Sequence, residues 1–179
     1  MLRTSLTHSL THSLMSDASG STSWAYDSRG RLVVETKNVT GSGAFRSEWA
    51  YNSADLVTMM KYPANNAGEE GEQVNYSYHP QMLLNTVGGT LGTYVRGTDY
   101  DDAGRVQLRR MGTTLQVDYA YYNWTAANGV GRLQYIWGGT SSDADSLQKL
   151  YYTYDAVGNV KTIKDYLAAG GTQTQTFGY

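Results

Sequence analysis

Short runs in which apolar and polar residues alternate follow one another along the chain. After Gly30, for example, Leu32 and Val34 alternate with charged residues. Successive side chains of a β-strand point to opposite faces, so this period of two predicts half-buried strands. Polar, glycine-rich segments separate the runs and are typical of loops that reverse the chain. The pattern predicts an all-β fold of repetitive antiparallel β-hairpins.

A nine-residue motif recurs through the chain. Clear copies span residues 24–32, 98–106 and 152–160, and weaker copies span 49–57, 76–84 and 119–133. Each copy has a tyrosine at its third position: Tyr26, Tyr51, Tyr78, Tyr100, Tyr121 and Tyr154. Such internal self-similarity is typical of a repeat architecture, in which each copy forms one supersecondary unit.

Each clear copy places an aspartate three residues before a glycine. The pairs are Asp27 and Gly30, Asp101 and Gly104, and Asp155 and Gly158. An aspartate at the first position of a β-turn can cap the turn with its carboxylate, and the glycine suits the following position with positive φ. We therefore predict a hairpin turn at each pair. Further structural positions of the repeat are Arg31, Leu32, Arg105, Gly131, Arg132 and Leu133.

The aromatic residues of the motif stand two positions apart, as in Trp24 and Tyr26. In a strand both rings point to one face, where they can pack against rings of neighbouring strands. The alternative is an exposed aromatic row that stacks on sugar rings or binds a cell-surface partner. The candidate glycan-stacking residues are Trp24, Trp49, Trp124 and Trp137.

Three copies depart from the turn pattern. Asp55 stands where the second copy should have glycine, residues 79–82 replace the third turn, and residues 124–130 are inserted in the fifth. These departures predict turns that are wider or differently shaped.

With these residues the chain resembles the RHS or YD repeat family. The family pattern, Tyr-Asp-x-x-Gly-Arg-Leu, is matched from Tyr26 to Leu32 and nearly matched from Tyr100 to Val106. The resemblance implies long antiparallel hairpins that wind as a spiral. In bacterial Rhs proteins, Tc toxin B/C components and teneurins such spirals form hollow barrels, and in the toxins the barrel encloses a C-terminal effector.

The resemblance implies a structural role as an open, twisted part of such a shell. The expected partners are further YD repeats and an effector polypeptide, in the same or an associated chain. The expected location of the full-length protein is secreted or at the cell surface. Because the last three residues begin a seventh copy, the chain is predicted to be a fragment. Residues 1–16 are predicted to form a low-complexity, weakly ordered lead-in, and residues 17–179 the hairpin array.

Composition restricts the chemistry further. The 179 residues include 14 basic and 16 acidic side chains, which are well mixed, so neither nucleic acid nor membrane insertion is expected. Cysteine is absent, and the only histidines are His8, His12 and His79. The sequence therefore contains few of the residues from which catalytic triads and metal sites are built. We therefore expect no catalytic residue, no metal, no cofactor and no enzymatic activity.

Overall fold

The computed structural model describes residues 11–64 and 71–179. These residues form strands and loops, with no helix long and apolar enough to cross a membrane. The strands in chain order are β1 (Thr11–Asp17), β2 (Gly20–Tyr26), β3 (Leu32–Val39), β4 (Gly43–Tyr51), β5 (Val57–Lys61), β6 (Gln73–Tyr78), β7 (Leu84–Gly89), β8 (Gly92–Tyr100), β9 (Val106–Met111), β10 (Leu115–Tyr121), β11 (Leu133–Thr140), β12 (Asp143–Tyr154), β13 (Val160–Asp165) and β14 (Gln173–Thr176).

The chain divides into two compact units. Unit 1 comprises Met1–Ser77 with Gly88–Leu91, and unit 2 comprises Tyr78–Val87 with Gly92–Tyr179. In unit 1 each strand from β1 to β6 pairs antiparallel with the next. In unit 2 the same holds from β8 to β14. The predicted all-β class of antiparallel hairpins is confirmed.

Strand pairing begins before residue 17. Strand β1 pairs with β2 from Thr11 opposite Tyr26 to Asp17 opposite Gly20. Residues 11–16 of the predicted lead-in thus form backbone hydrogen bonds with β2, although Leu14 and Met15 are exposed. Their weak order stays a prediction. Residues 1–10 of the predicted lead-in lie outside the described residues.

Few side chains are fully enclosed. Apart from glycines, the buried residues of the described ranges are Thr22, Ala25, Val74 and Thr98. Most strand residues of the described ranges are half-buried. Backbone pairing and contacts between neighbouring hairpins must therefore supply much of the stability.

Candidate functional site: the hairpin-turn clamps

The first hairpin turn has the geometry that its aspartate and glycine predict. The Gly30 amide donates to the Asp27 carbonyl at 3.0 Å, and the Asp27 amide donates to the Arg31 carbonyl at 2.9 Å. The Asp27 carboxylate accepts from the amides of Arg29 and Arg31 at 2.9 and 3.0 Å. Gly30 has a φ of 78°, the left-handed position that closes a three-residue hairpin loop.

The other two clear copies repeat this turn. Asp101 accepts from the amides of Ala103 and Arg105 at 3.0 and 2.9 Å. Asp155 accepts from the amides of Val157 and Asn159 at 3.0 and 2.8 Å. The φ angles of Gly104 and Gly158 are 76° and 91°. The aspartate thus satisfies the same two backbone donors in all three turns.

Two turns that the sequence predicts to be wider have the same backbone bonds. The Asn52 amide donates to the Leu56 carbonyl at 3.0 Å, and Asn52 Oδ1 replaces the aspartate as the cap. The His79 amide donates to the Leu83 carbonyl at 2.8 Å. Asp55 and Met82 occupy the glycine position with φ of 63° and 64°. The prediction of a different shape is wrong here, because the strand pairing imposes the left-handed conformation on residues other than glycine.

The insertion in the fifth copy leaves the base of its turn unchanged. The Tyr122 amide donates to the Arg132 carbonyl at 2.9 Å, and the Gly131 amide donates to the Tyr122 carbonyl at 3.1 Å. Gly131 has a φ of 67°. The extra residues therefore extend the loop, as predicted, without shifting the strands that follow it.

A β-bulge precedes the turn in five of the copies. The register shifts lie at Ala25/Tyr26, Ala50/Tyr51, Asp99/Tyr100, Ala120/Tyr121 and Thr153/Tyr154. A bulge bends the strand and redirects the side chain next to it. Each bulge falls directly before the repeat tyrosine, so it sets the direction of that ring.

The repeat tyrosines hydrogen-bond to the preceding hairpin. Their hydroxyls donate to the backbone carbonyl just after the preceding turn: Tyr51 to Leu32 at 2.7 Å, Tyr100 to Leu84 at 2.6 Å, Tyr121 to Val106 at 3.0 Å and Tyr154 to Leu133 at 2.9 Å. Burial raises the pKa of Tyr51, Tyr121 and Tyr154. Burial thus favours the protonated form of these three phenols, which their donor bonds require.

In unit 1 an arginine joins two successive turns. The Arg31 guanidinium pairs with Asp27 in its own turn at 2.6 Å. It also donates to the Asn52 carbonyl at 3.0 Å and pairs with Asp55 at 2.6 Å. Its carbon Cζ lies 4.7 Å from the centre of the Tyr51 ring. We call this combination of aspartate, arginine and next-repeat tyrosine a turn clamp.

Unit 2 contains the same clamp with different outer partners. Arg105 pairs with Asp101 at 2.5 Å and donates to the Gly131 carbonyl at 2.6 Å. Its guanidinium carbon lies 4.1 Å from the Tyr121 ring centre and 5.2 Å from the Trp124 ring centre. A guanidinium over an aromatic face is a favourable cation–π arrangement. The inserted Trp124 thus occupies the place that Asp55 has in unit 1.

The last clamp is less complete. The Arg132 guanidinium lies 5.8 Å from the Tyr154 ring centre and directly over Gly158, where a Cβ atom would clash with it. Gly158 therefore provides both the left-handed turn and the space for the arginine. Tyr122 contacts the Tyr154 ring edge-on at 6.1 Å.

At two repeat tyrosines the structure does not show the predicted packing of one aromatic ring against another. The partner on the ring is a guanidinium at Tyr51 and Tyr121. Ring stacking instead joins Tyr135 and Trp137, which lie 4.0 Å apart and outside the Tyr-Asp positions. Sequence analysis also missed Arg29, which pairs with Asp55 at 2.7 Å. The sequence does place Arg29 in the first turn and an acid, Asp55, at the glycine position of the second turn, and this charge pair could have been recognised.

The four tryptophans do not form a row of exposed rings. Trp24 and Trp49 are half-buried, and the Trp24 indole donates to Glu35 at 3.0 Å. Trp137 is half-buried against Tyr135. Trp124 is 67% exposed, but one face of its ring covers Gly131 and Arg105. Glycan stacking at these residues stays a prediction.

The clamps predict a loss of stability in acid. Hydrogen bonds from Arg31 and Arg105 lower the pKa of Asp27 and Asp101. A carboxylate whose folded pKa lies below its unfolded value of about 3.9 stabilises the fold above that pH and loses this effect as the pH falls through the folded pKa. We expect the melting temperature to fall steadily below about pH 4. Thermal unfolding followed by circular dichroism checks this, and Asp101→Asn should reduce the pH dependence.

Met82 provides a test of the strained turn position. Its side chain is 59% exposed, and its φ of 64° is unfavourable for a residue with a Cβ atom. Met82→Gly should therefore stabilise the chain by about 1 kcal/mol, measured by urea unfolding. Asp55→Gly is the matched control, because it relieves the same strain but removes the pairs with Arg29 and Arg31. A stabilisation of equal size in both variants would contradict the role of Asp55.

The turn clamps consist of contacts that stabilise the hairpins. The clamp side chains pair with one another, and the described residues contain no group of three potential metal ligands. Charge-assisted hydrogen bonds to fixed carbonyls give geometric specificity. The arrangement can hold successive hairpins at a defined spacing.

Comparison with known proteins gives matches at the level of structure alone. No protein-family model and no curated protein matches the sequence. The crystal structures of TcdB2-TccC3-Cdc42 and TcdB2-TccC3 match with a TM-score of 0.77 at 18% and 19% identity, over 91% of this chain and 9% of theirs. The Photorhabdus luminescens Tc holotoxin pore matches with a TM-score of 0.74 at 18% identity, over 89% of this chain and 8% of its own.

The chain thus spans less than a tenth of the length of the solved chains that it matches. Identity below a fifth establishes the fold and leaves function open. The likeness extends over nearly all of this chain and was expected from the Tyr-Asp motif. The chain has the fold of a segment of the Tc toxin proteins, and its predicted resemblance to the RHS/YD-repeat shell is confirmed at that level.

Proposed function

We propose that the chain is a non-enzymatic wall segment of an RHS/YD-type shell, which encloses or scaffolds a toxin or other effector polypeptide. The observation that carries this proposal is the turn clamp, which fixes one hairpin to the next. Arg31 and Arg105 each connect their own turn to the following one. A wall needs this property, because it must stay ordered with both faces available.

The similar solved structures support the proposal. They are Tc toxin assemblies, in two of which TcdB2 and TccC3 occur together. By analogy, the partners of this segment are further repeats and an effector polypeptide. The full protein would then act outside the cell or at its surface. This step rests on analogy of fold.

Thiol labelling of the full-length polypeptide tests the wall role. The segment contains no cysteine, so single cysteines can be introduced at Thr174 and Gln175, which are both exposed and lie in unbroken register on β14. Neighbouring positions of a strand point to opposite faces. Cysteines elsewhere in the polypeptide are replaced by serine. Each variant is treated with a small maleimide and with a maleimide on a long polyethylene glycol chain.

A closed wall should let the small reagent reach both positions and the large reagent reach only one. Labelling of the urea-unfolded protein controls for the reactivity of each cysteine. Equal access of the large reagent to both faces would contradict enclosure.

A further inference from the structure

The turn of the third copy, residues 79–82, lacks the arginine of a turn clamp. In each clamp the arginine directly follows its turn and reaches the glycine position of the next one. The pairs are Arg31 with Asp55, Arg105 with Gly131 and Arg132 with Gly158. In the third copy Leu83 stands in the arginine position, and its Cδ1 would lie 3.9 Å from a Cβ atom on Gly104. Leu83 thus reaches the same place in the fourth turn but brings no hydrogen-bond donor.

A cavity of about 740 Å³ lies next to Leu83 in unit 2. Residues of the third and fourth turns line it, and Tyr100 is among them. In the clamps a guanidinium carbon lies between 4.1 and 5.8 Å from the centre of the corresponding tyrosine ring. None of the described arginines and lysines lies over the Tyr100 ring. His79 contacts this ring at an interplanar angle of 88°, and such a contact involves at most one of its faces.

Two acceptors in the lining of this cavity have no partner among the described residues. Asp102 is exposed, and its carboxylate forms neither an ion pair nor a hydrogen bond there. The Gly104 carbonyl is also free, whereas its counterpart in the fifth copy accepts from Arg105. The other two carboxylates of the lining are already paired: Asp99 with Arg110 and Asp101 with Arg105. The cavity therefore combines an aromatic ring, a free carbonyl and one uncompensated negative charge.

The second copy shows that a missing arginine is not sufficient for such a site. Leu56 stands in its arginine position, but the turn that follows, residues 79–82, contains no acid. The fourth turn, in contrast, supplies Asp102. The proposal below therefore depends on the fourth turn as well as on Leu83.

We propose that this cavity binds the guanidinium of an arginine from a partner polypeptide, in the place that a clamp arginine occupies in other copies. The guanidinium lies over the Tyr100 ring, donates to the Gly104 carbonyl and pairs with Asp102. Arginine suits the site better than lysine, because its planar group can lie on a ring while its donors reach acceptors at the edge. Asp102 and Gly104 are exposed at the hairpin tip, so a side chain from outside can reach them. This inference holds whether or not the shell encloses an effector.

Two short peptides provide the probe. Acetyl-Ser-Arg-Ser-amide supplies the guanidinium, and the control peptide has citrulline, which is uncharged and nearly the same in shape. Binding to the isotope-labelled 179-residue chain is followed by the amide chemical shifts of Asp102 and Gly104. Asp102→Asn removes the free charge, and Asp143→Asn is the matched variant at an exposed acid on β12. Leu83→Arg supplies an arginine from the chain itself.

The arginine peptide should bind about fivefold more tightly than the citrulline peptide. This preference should shrink in Asp102→Asn and persist in Asp143→Asn. It should disappear in Leu83→Arg, because the introduced arginine fills the cavity. Circular dichroism establishes that Leu83→Arg is folded, and the two aspartate variants decide the matter if it is not. Equal affinity for both peptides, no binding of either, or a preference that is unchanged in Asp102→Asn or in folded Leu83→Arg would each overturn the proposal.

Discussion

Replacing Gly20 with alanine is expected to lower the free energy of unfolding by about 3 kcal/mol or more. Gly20 has a φ of 149°, which is almost restricted to glycine. In addition, a Cβ atom there would clash with the backbone carbonyl of Asn38 on the neighbouring strand. A backbone atom within a paired strand cannot move aside as a side chain can. Urea unfolding monitored by circular dichroism measures the effect.

Gly30→Ala is the matched control. Gly30 also has a positive φ, 78°, but a Cβ atom would meet nothing within 4 Å. The cost should then be the conformational strain alone, about 1 kcal/mol. Equal destabilisation by the two substitutions would show that the close approach of Gly20 to Asn38 on β3 adds no cost.

Removal of the Asp101 carboxylate should have the second largest effect. Asp101→Ala leaves the amides of Ala103 and Arg105 without their acceptor and takes the ion pair from Arg105. We expect a loss of about 2 kcal/mol, because the turn loses its cap and Arg105 loses its ion pair in one substitution. Chemical denaturation of the variant at neutral pH measures it.

Asp101→Asn distinguishes the contribution of the capping hydrogen bonds from that of the ion pair with Arg105. An asparagine oxygen can accept from both amides, as Asn52 does in the second turn. The asparagine variant should therefore retain more than half of the lost stability. If asparagine is as damaging as alanine, the ion pair with Arg105 and not the cap holds the turn.

The sequence was sufficient to predict strands and turns because both depend on local chemistry. Alternation defines the strands, and an aspartate three residues before a glycine defines a turn through a cap and a positive φ. The same reasoning erred at Asp55 and Met82. There the pairing of the flanking strands dictates the turn conformation, and the local cost of a left-handed residue is too small to prevent it.

The clamps could be predicted only in part. Tyr121 and Arg105 were recognised as repeat positions. Their contact, however, depends on a bulge at Ala120/Tyr121, and no residue type in the sequence predicts that bulge. The outer partner of Arg105 is a carbonyl beside an inserted tryptophan. Such contacts join residues about twenty positions apart, and they depend on register, which alternation alone does not determine.

The arginine contacts also explain the order of the array. A sheet with few buried side chains gains little from a closed core, so each hairpin must be held by its neighbours. Tyrosine hydroxyls, capped turns and guanidinium groups do this at one end of the hairpins. Stability should therefore depend more on these polar contacts than it does in a two-layer domain.

Tyr121→Phe compared with Tyr119→Phe measures what the tyrosine bond to the preceding hairpin contributes to stability. The two tyrosines are half-buried on the same strand, but only Tyr121 donates its hydroxyl to the preceding hairpin, at Val106. We expect Tyr121→Phe to lower the free energy of unfolding by about 1 kcal/mol and Tyr119→Phe to leave it nearly unchanged. Equal effects of the two substitutions, measured by urea unfolding, would contradict the claim that clamps hold the hairpins together.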